Sequence, residues 1–498
     1  MYDMRTEKPL PLLIVMLLRY MGSVLCVCMC MSFLFSCSES VSYSTNTSDK
    51  IAFSEDTVSF DTLISTIGSA TKTISVYNRN KDALRITHVR LGQGLSSPFR
   101  VNVDGQYLYG GAGEDFEIRK NDSIVVRIEV TPPEVGSDEI STFSDVLSFS
   151  LESGIVQNVV LKAGSIDAYI VHGLFIDSDS TLYVDKPYVI YDSLVVHPNV
   201  KLTLLPGTRL LFHDGASLEV YGSVDAEGTL DKPVVFRGDR LDHMFDYLLY
   251  DNTPNRWEGI NLHRGSKDNI FVNCDIHSGS YGIICDSTNV EDNLLYIENT
   301  IIHNLGGDGL RLNNCTAQVV NSQISNTLGT CVYIFGGAYQ FLHCTIAQFY
   351  PFDADRGDAL YIANQVDGRY RDLYYSYFIN CVITGYGDDV IMGSIVEGQD
   401  YTCDYLFHHC YLNTVISEDT TRFSHIIYDT EEQPLCGSDN FHTFDTHNFI
   451  YDFTPDSLST IRNLADTTYV GEFIFDRLGR SRLADEAPDA GCYEYVKP

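Results

Sequence analysis

Apolar and polar positions between residues 259 and 412 fall into two interleaved series. The first is built on short apolar pairs: GINL (259–262), GIIC (282–285), GLRL (309–312), CVYI (331–334), ALYI (359–362) and DVIM (389–392). Its leading column is Ile260, Ile283, Leu310, Val332, Leu360 and Val390, at steps of 23, 27, 22, 28 and 30 residues. Two residues on stand Leu262, Cys285, Leu312, Ile334, Ile362 and Met392. Alternation sends both members of each pair to one face of a strand. The second series is VNCDI (272–276), IENTI (297–301), VNSQI (320–324), LHCTI (342–346), INCVI (379–383) and HHCYL (408–412). It aligns Cys274, Asn299, Ser322, Cys344, Cys381 and Cys410, then Ile276, Ile301, Ile324, Ile346, Ile383 and Leu412. Two series kept in step over six units predict stacked repeats with a continuous core. A sandwich or propeller with accidental similarity is the rival reading, and it gives no reason for that register.

Upstream the pattern differs. Residues 51–166 alternate at the strand period in TKTISVYN (71–78), ALRITHVRL (83–91), FRVNV (99–103), SIVVRIEVTPP (123–133), DVLSFSL (145–151) and VQNVVLKAG (156–164), with turn residues between them. This predicts an antiparallel β-sandwich. The cues at Val76–Asn78, Leu84–Val89, Phe99–Val101 and Val126–Pro132 resemble those of hydin-type Ig-like domains, which implies a spacer or docking platform. From 167 onwards strands shorten, and Gly and Pro corners fall at Pro206-Gly207, Gly215, Gly222, Gly228 and Pro233. Short strands, sharp corners and no helical period are how a parallel β-helix reads. With Trp257-Glu258-Gly259-Ile260, this stretch resembles pectin-lyase-like right-handed β-helix proteins. The tail, GRSRLADEAPDAGCYEY (479–495), is similar to the ending of secreted β-helix proteins: Arg480, Pro488, Asp489, Gly491, Tyr493 and Glu494 match, and Cys492 replaces the usual Ala. It is expected to close the solenoid, whose open end would expose strand edges. The fold class is therefore all-β: an Ig-like sandwich over 51–166, then a right-handed parallel β-helix over 167–498.

The N-terminal segment adds location. Arg5, Lys8 and Arg19 precede an apolar run, Met21–Phe35, that ends Leu34-Phe35-Ser36-Cys37. This resembles a bacterial lipobox, which implies that 1–37 is a signal segment and that Cys37 carries lipid. An uncleaved membrane anchor is the alternative, and Arg19 interrupts it. Residues 38–50, SESVSYSTNTSDK, read as a flexible tether. The expectation is an exported protein anchored by lipid to the bacterial cell envelope, at the outer membrane. Charge narrows the partners. Lys+Arg number 33 against 67 Asp+Glu, a net charge of −34. Nucleic acid is excluded as a partner, because phosphate contacts need a cationic face. Ten of the 14 cysteines lie between Cys274 and Cys492 and form no CxxC pair. Cys344, Cys381 and Cys410 share one inward column, so they read as packing thiols, with a disulfide between coils as the rival.

Candidate chemistry lies where the repeat is irregular. Cys344 to Cys381 spans 37 residues, against 22 for the step before it. The excess falls in two loops, QFYPFDADRGD (348–358) and NQVDGRYRDLYYS (364–376). Loops on a rigid scaffold are where binding groups collect. The binding candidates are Asp353, Asp355, Tyr350, Tyr370, Arg369 and Arg371. Resemblance to uronate lyases implies carboxylates holding Ca2+ and a cationic base, which matches Asp353, Asp355, Arg356 and Asp358 in residue type; without an EF-hand-like or repeat-encoded spacing, a solvated polar loop is the favoured reading. Resemblance to polygalacturonase-type hydrolases rests on Gly387-Asp388-Asp389 and Gly307-Asp308-Gly309, without the Gly-His-Gly and Arg-Ile-Lys elements of that family. Asp388, with Arg356 and Asp358, completes the catalytic candidates. The insertion 240–256, with Phe245, Tyr247 and Tyr250 near Asp246 and Asp251, is a third surface. The leading expectation is a non-catalytic envelope lipoprotein that binds glycan or another surface partner. The alternatives are a lyase or hydrolase of acidic polysaccharide at the 348–376 loops, and a structural or adhesive protein.

Overall fold

A computed structural model describes residues 42–137, 139–245, 247–286, 294–398, 401–430, 433 and 435–497. Cys37 and Asp246 lie outside the described residues. The chain is all-β: an Ig-like sandwich precedes a parallel β-helix solenoid. No helix among the described residues is long and apolar enough to cross a membrane.

In the sandwich, one sheet runs Ala52–Phe53, Lys72–Tyr77, Ser123–Val130, Phe99–Val103, Gln106–Tyr107. The other runs Thr57–Ile64, Val156–Ile166, Ser141–Leu151, Leu84–Leu91, Ala112–Ile118. Alternate positions point inward, so Val76, Ile86, Val101, Val126, Phe149 and Leu161 meet between the sheets. Thr57–Ile64 lies parallel to Val156–Ile166, while the remaining pairs are antiparallel. Buried Asp167 fixes the exit to the solenoid. It accepts from Ser65 Oγ at 2.6 Å and from Gly136 N at 2.6 Å, and Lys186 Nζ stands 3.8 Å away.

Each coil of the solenoid contributes three short strands. The first face holds Gly259–Leu262, Ile283–Cys285, Leu310–Asn313, Val332–Phe335, Leu360–Ala363 and Ile391–Ser394. The second holds Asn269–Val272, Leu294–Glu298, Thr316–Val320, Gly337–Leu342, Leu373–Ile379 and Leu406–His408. The third holds Cys274–His277, Ile301–Leu305, Gln323–Thr327, Thr345–Gln348, Val382–Gly385 and Tyr411–Leu412. Inward side chains stack at the parallel-strand spacing. Phe341, Phe378, Phe407 and Phe423 form one such file, with neighbouring rings 4.7, 5.0 and 5.1 Å apart.

Two alignments differ from the sequence expectation by one residue. In the coil at 297, the residue beside Ile276 and Ile324 is Ile302, not Ile301. The small-residue column is therefore Cys274, Thr300, Ser322, Cys344, Cys381 and Cys410. Cys274 N donates to Thr300 Oγ1 at 3.1 Å, and Thr300 N donates to Ser322 Oγ at 3.1 Å. The Cys344, Cys381 and Cys410 thiols donate to the Val319, Phe341 and Phe378 carbonyls at 3.3, 3.5 and 3.3 Å. Asn299 belongs to the preceding column, Asn273, Asn299, Asn321, His343, Asn380 and His409, with φ of 48, 51, 48, 52, 56 and 52°. One left-handed residue turns each coil from the second face to the third, and Asn tolerates that conformation better than most residues. At the last full coil Leu360 pairs with Ile391, and Met392 pairs with outward Tyr361. Met392 thus leaves the core column in which it was expected.

The C-terminal segment does not stack on the last coil. It lies across the outer surface of the third face. Tyr493 Oη donates to Gln323 Oε1 at 2.6 Å, Cys492 N donates to Thr345 Oγ1 at 3.1 Å, and Gly491 N donates to Asn380 O at 2.8 Å. Phe441, Phe453, Ile461, Ala490 and Cys492 pack there against Ala347, Phe349, Val382 and Tyr411. Fully buried Arg482 pairs with Glu494 and donates to Asn321 Oδ1 at 2.8 Å and to Gly491 O at 3.1 Å. Gly491 sits at φ 90°, and a Cβ there would stand 2.6 Å from Thr345 Oγ1.

Candidate functional site

Outward positions alternate with the core positions on each strand. On the first face they read Ile284, Arg311, Tyr333, Tyr361 and Met392 on successive coils. The Tyr333 and Tyr361 rings are stacked, 5.1 Å apart and 4° from parallel. The Arg311 guanidinium covers the other face of Tyr333 at 4.2 Å. Arg311 Nη1 also donates to Asp308 Oδ2 at 2.6 Å, and Asp308 Oδ1 accepts from Thr330 N at 2.8 Å. The result is a file of half-buried groups in which both faces of the Tyr333 ring are covered. What it offers outward is phenol hydroxyls and guanidinium N–H.

The two long loops flank this file. Residues 349–359 enter the strand Leu360–Ala363 at one end, and 364–372 leave it at the other. A four-residue strand is about 13 Å long, so the two loops leave this face at ends separated by that order. Burial pushes the Tyr333 phenol up; Arg311 pulls it down, and Asp308 and Asp367 act on it with opposite sign. On the entry side, burial and then nearby Asp389 push the Asp358 carboxyl up.

The expected residues are distributed along these walls and do not converge. Tyr350 is buried, so its ring is packing and not surface. Arg356 donates to Tyr350 O at 2.6 Å and lies over the Tyr386 ring at 4.5 Å, which commits it to holding the loop. Exposed Asp353 accepts from Asp355 N at 2.9 Å, closing a turn. Asp388 is exposed, and Asp389 accepts from Ile391 N and Thr414 Oγ1. On the other wall, Gln365–Val366 and Arg369–Tyr370 form a small hairpin. Arg369 stands 4.0 Å from Asp367, Arg371 is exposed, and Tyr370 stacks on Tyr401 at 4.5 Å. Asp353, Asp355 and Asp358 do not form a cation cluster. Among the described residues such clusters are Asp275/His277/His303 and His408/His409/His425.

The first of those is an ion-pair network on the third face. Asp275 Oδ1 stands 2.9 Å from His277 Nδ1 and 3.1 Å from His303 Nε2. His277 Nε2 faces Asp251 Oδ1 at 3.4 Å, and Arg237 donates to Asp251 Oδ2 at 2.7 Å. Burial alone would push the His277 imidazole down, but Asp275 and Asp251 win and hold it at about 9. His303 opens onto a cavity of about 390 Å³ between this face and Tyr451, Asp452 and Arg477 of the tail. The 240–256 insertion contacts the sandwich, and Asp242, His243, Phe245 and Tyr247 line a cavity of about 480 Å³ with Glu55, Asp61 and Lys72. His243 contacts Asp61 of the sandwich at 2.9 Å, and Trp257 beyond it is buried against Phe212 at 4.5 Å.

Sequence reasoning missed the outward file Arg311–Tyr333–Tyr361. Its signal was the third letter of GLRL, CVYI and ALYI, between the two apolar positions that define the repeat. No protein-family model and no curated protein matches the chain. Solved structures similar to part of it include the ASH/PapD-like domain 7 of human CEP192, at 13% identity over 27% of this chain and 96% of that one, with a TM-score of 0.17. A protein of unknown function from Porphyromonas gingivalis W83 is 12% identical over 25% of this chain and 59% of that one, with a TM-score of 0.17. A family 123 glycoside hydrolase from Clostridium perfringens is 9% identical over 25% and 30% respectively, also at 0.17.

Proposed function

We propose that this chain is a lipid-anchored cell-envelope protein that binds glycan along the groove of its first face, without turning it over. The observation that carries this reading is the file Arg311–Tyr333–Tyr361 between two loop walls. Its groups repeat at the coil spacing of about 4.8 Å, so a polysaccharide lying along the groove meets one hydrogen-bonding side chain per coil. Both faces of the Tyr333 ring are occupied, so recognition there runs through its hydroxyl and not through sugar stacking. Asp308, Asp353, Asp355, Asp367, Asp388 and Asp389 outnumber Arg311, Arg356, Arg369 and Arg371 over this face and its loops, which favours a neutral glycan over a polyanion. Isothermal titration against neutral polysaccharides should give saturable binding without reducing-end release. Arg311→Ala and Tyr361→Ala should each weaken it tenfold or more, by loss of a buried contact worth about 1.4 kcal/mol. Binding unchanged in both variants would reject the groove. The anchoring half rests on the segment ending at Cys37; lipid labelling that survives Cys37→Ala would remove it.

A hydrolase acting at the same loops is the second reading. It is favoured by the raised Asp358 carboxyl beside Asp389, since a general acid needs a carboxyl that keeps its proton. Release of reducing ends, abolished by Asp358→Asn, would install it in place of the first.

A further inference from the structure

The left-handed corner column changes character at its C-terminal end. After Asn380 it continues as His409 and His425, with φ of 52 and 57°, and His408 precedes the first of these. The His409 and His425 rings lie 4.4 Å apart, and those of His408 and His409 4.5 Å apart. One nitrogen from each of the three fits within 4.8 Å of the others. Asp466 of the tail is the fourth member: its Oδ2 stands 3.2 Å from His408 Nε2.

What distinguishes this group from stacked corner residues is how its outer atoms are held. His409 Nδ1 faces the Leu464 carbonyl at 2.7 Å, which fixes the proton there and leaves Nε2 with its lone pair. His408 Nδ1 is engaged by Ser424 Oγ at 2.6 Å, which turns Nε2 toward Asp466 Oδ2, the contact a cation would replace. Asp466 Oδ1 accepts from Thr468 N at 2.9 Å and Thr468 Oγ1 at 2.8 Å, which leaves Oδ2 for the cluster. Metal-binding imidazoles and carboxylates are oriented in this way by outer partners. The Asp275/His277/His303 network is built differently: its imidazoles share one carboxylate oxygen, Asp275 Oδ1, and Arg237 donates to the neighbouring Asp251, so the group is tied into an ion-pair chain.

We propose that His408, His409, His425 and Asp466 form a site for a divalent transition cation of the Zn2+ class, which fastens the tail segment 464–468 to the last coils. Three imidazoles and one carboxylate suit a tetrahedral borderline ion. Bonds of about 2.0–2.1 Å require nitrogens about 3.4 Å apart, so the rings close by roughly 1 Å through side-chain rotation.

The test titrates ZnCl2 into the purified full chain, freed of metal by chelation, and follows heat and thermal midpoint. Co2+ substitution supplies an independent absorption signature of tetrahedral coordination. One equivalent should bind, and the midpoint should rise with added Zn2+. Affinity should fall at least tenfold in His409→Ala and in Asp466→Asn, the latter keeping the shape and the Thr468 contacts. His303→Gln should leave the affinity unchanged. Overturning results are no stoichiometric binding, full affinity in both His409→Ala and Asp466→Asn, or loss of binding in His303→Gln.

Discussion

The first and third faces of the solenoid are built from the same short parallel strands, yet they carry opposite surfaces. On the third face the outward positions Gln323, Ser325, Thr345, Ala347 and Val382 are buried. There the tail lies on them, and Gly491 allows its backbone to touch Thr345. On the first face the outward positions are Arg311, Tyr333 and Tyr361, half-buried and uncovered. The inward columns of both faces are apolar. The difference is therefore not a property of the fold. It reflects what lies over each face: small and hydroxyl side chains where chain must approach, long polar ones where the surface is left open.

If that contrast is right, stability resides on the covered face. Arg482→Ala should be the most costly change, because it leaves the Glu494 carboxylate buried without its partner and Asn321 short of a donor. A loss of about 3–5 kcal/mol is expected in denaturant unfolding; a loss under 1 kcal/mol would mean the tail is not integral. The His277 network should impose a pH dependence. Its folded-state value of about 9 lies above the ordinary value of 6.5, so its contribution is complete below about pH 6.5 and fades as pH rises through about 9. Thermal midpoints should fall across that window by the equivalent of about 3 kcal/mol, and His277→Gln should flatten the slope. Gly491→Ala should cost about 1–3 kcal/mol through the Thr345 clash and the left-handed φ. Tyr333→Ala and Tyr361→Ala, on the open face, should change stability least, by about 0.5–1 kcal/mol, while affecting binding. A reversed order, with the tyrosines costing more than Gly491→Ala, would break the distinction between the faces.

The repeat, the two domains' strand content and the inward Cys column could all be read from the chain, because core positions demand volume and polarity on a fixed period. The reading failed where two apolar residues stand side by side. Ile301 and Ile302 are equally good by hydrophobicity, and only the left-handed corner at Asn299 decides between them. Val390 and Ile391 pose the same ambiguity. The Arg480–Glu494 motif was visible but its placement was not, since Arg482 reaches a partner 161 residues away at Asn321. At the candidate site, loop length pointed to the segments that flank the strand Leu360–Ala363. The Arg311–Tyr333–Tyr361 file was hidden because outward residues follow no hydrophobic period and are selected by what they meet.

The corner column has a mechanical meaning. Asn321 donates to Phe475 O at 2.9 Å, Asn380 donates to Asp466 O at 3.1 Å, and His409 holds Leu464 O. Coils in a solenoid touch only their neighbours, so such a stack can peel from its end one turn at a time. A strap that grips several corners along its length loads them in parallel. A pull on the C-terminal segment is then shared across the coils from Asn321 to His409, and those turns give way together and not in sequence.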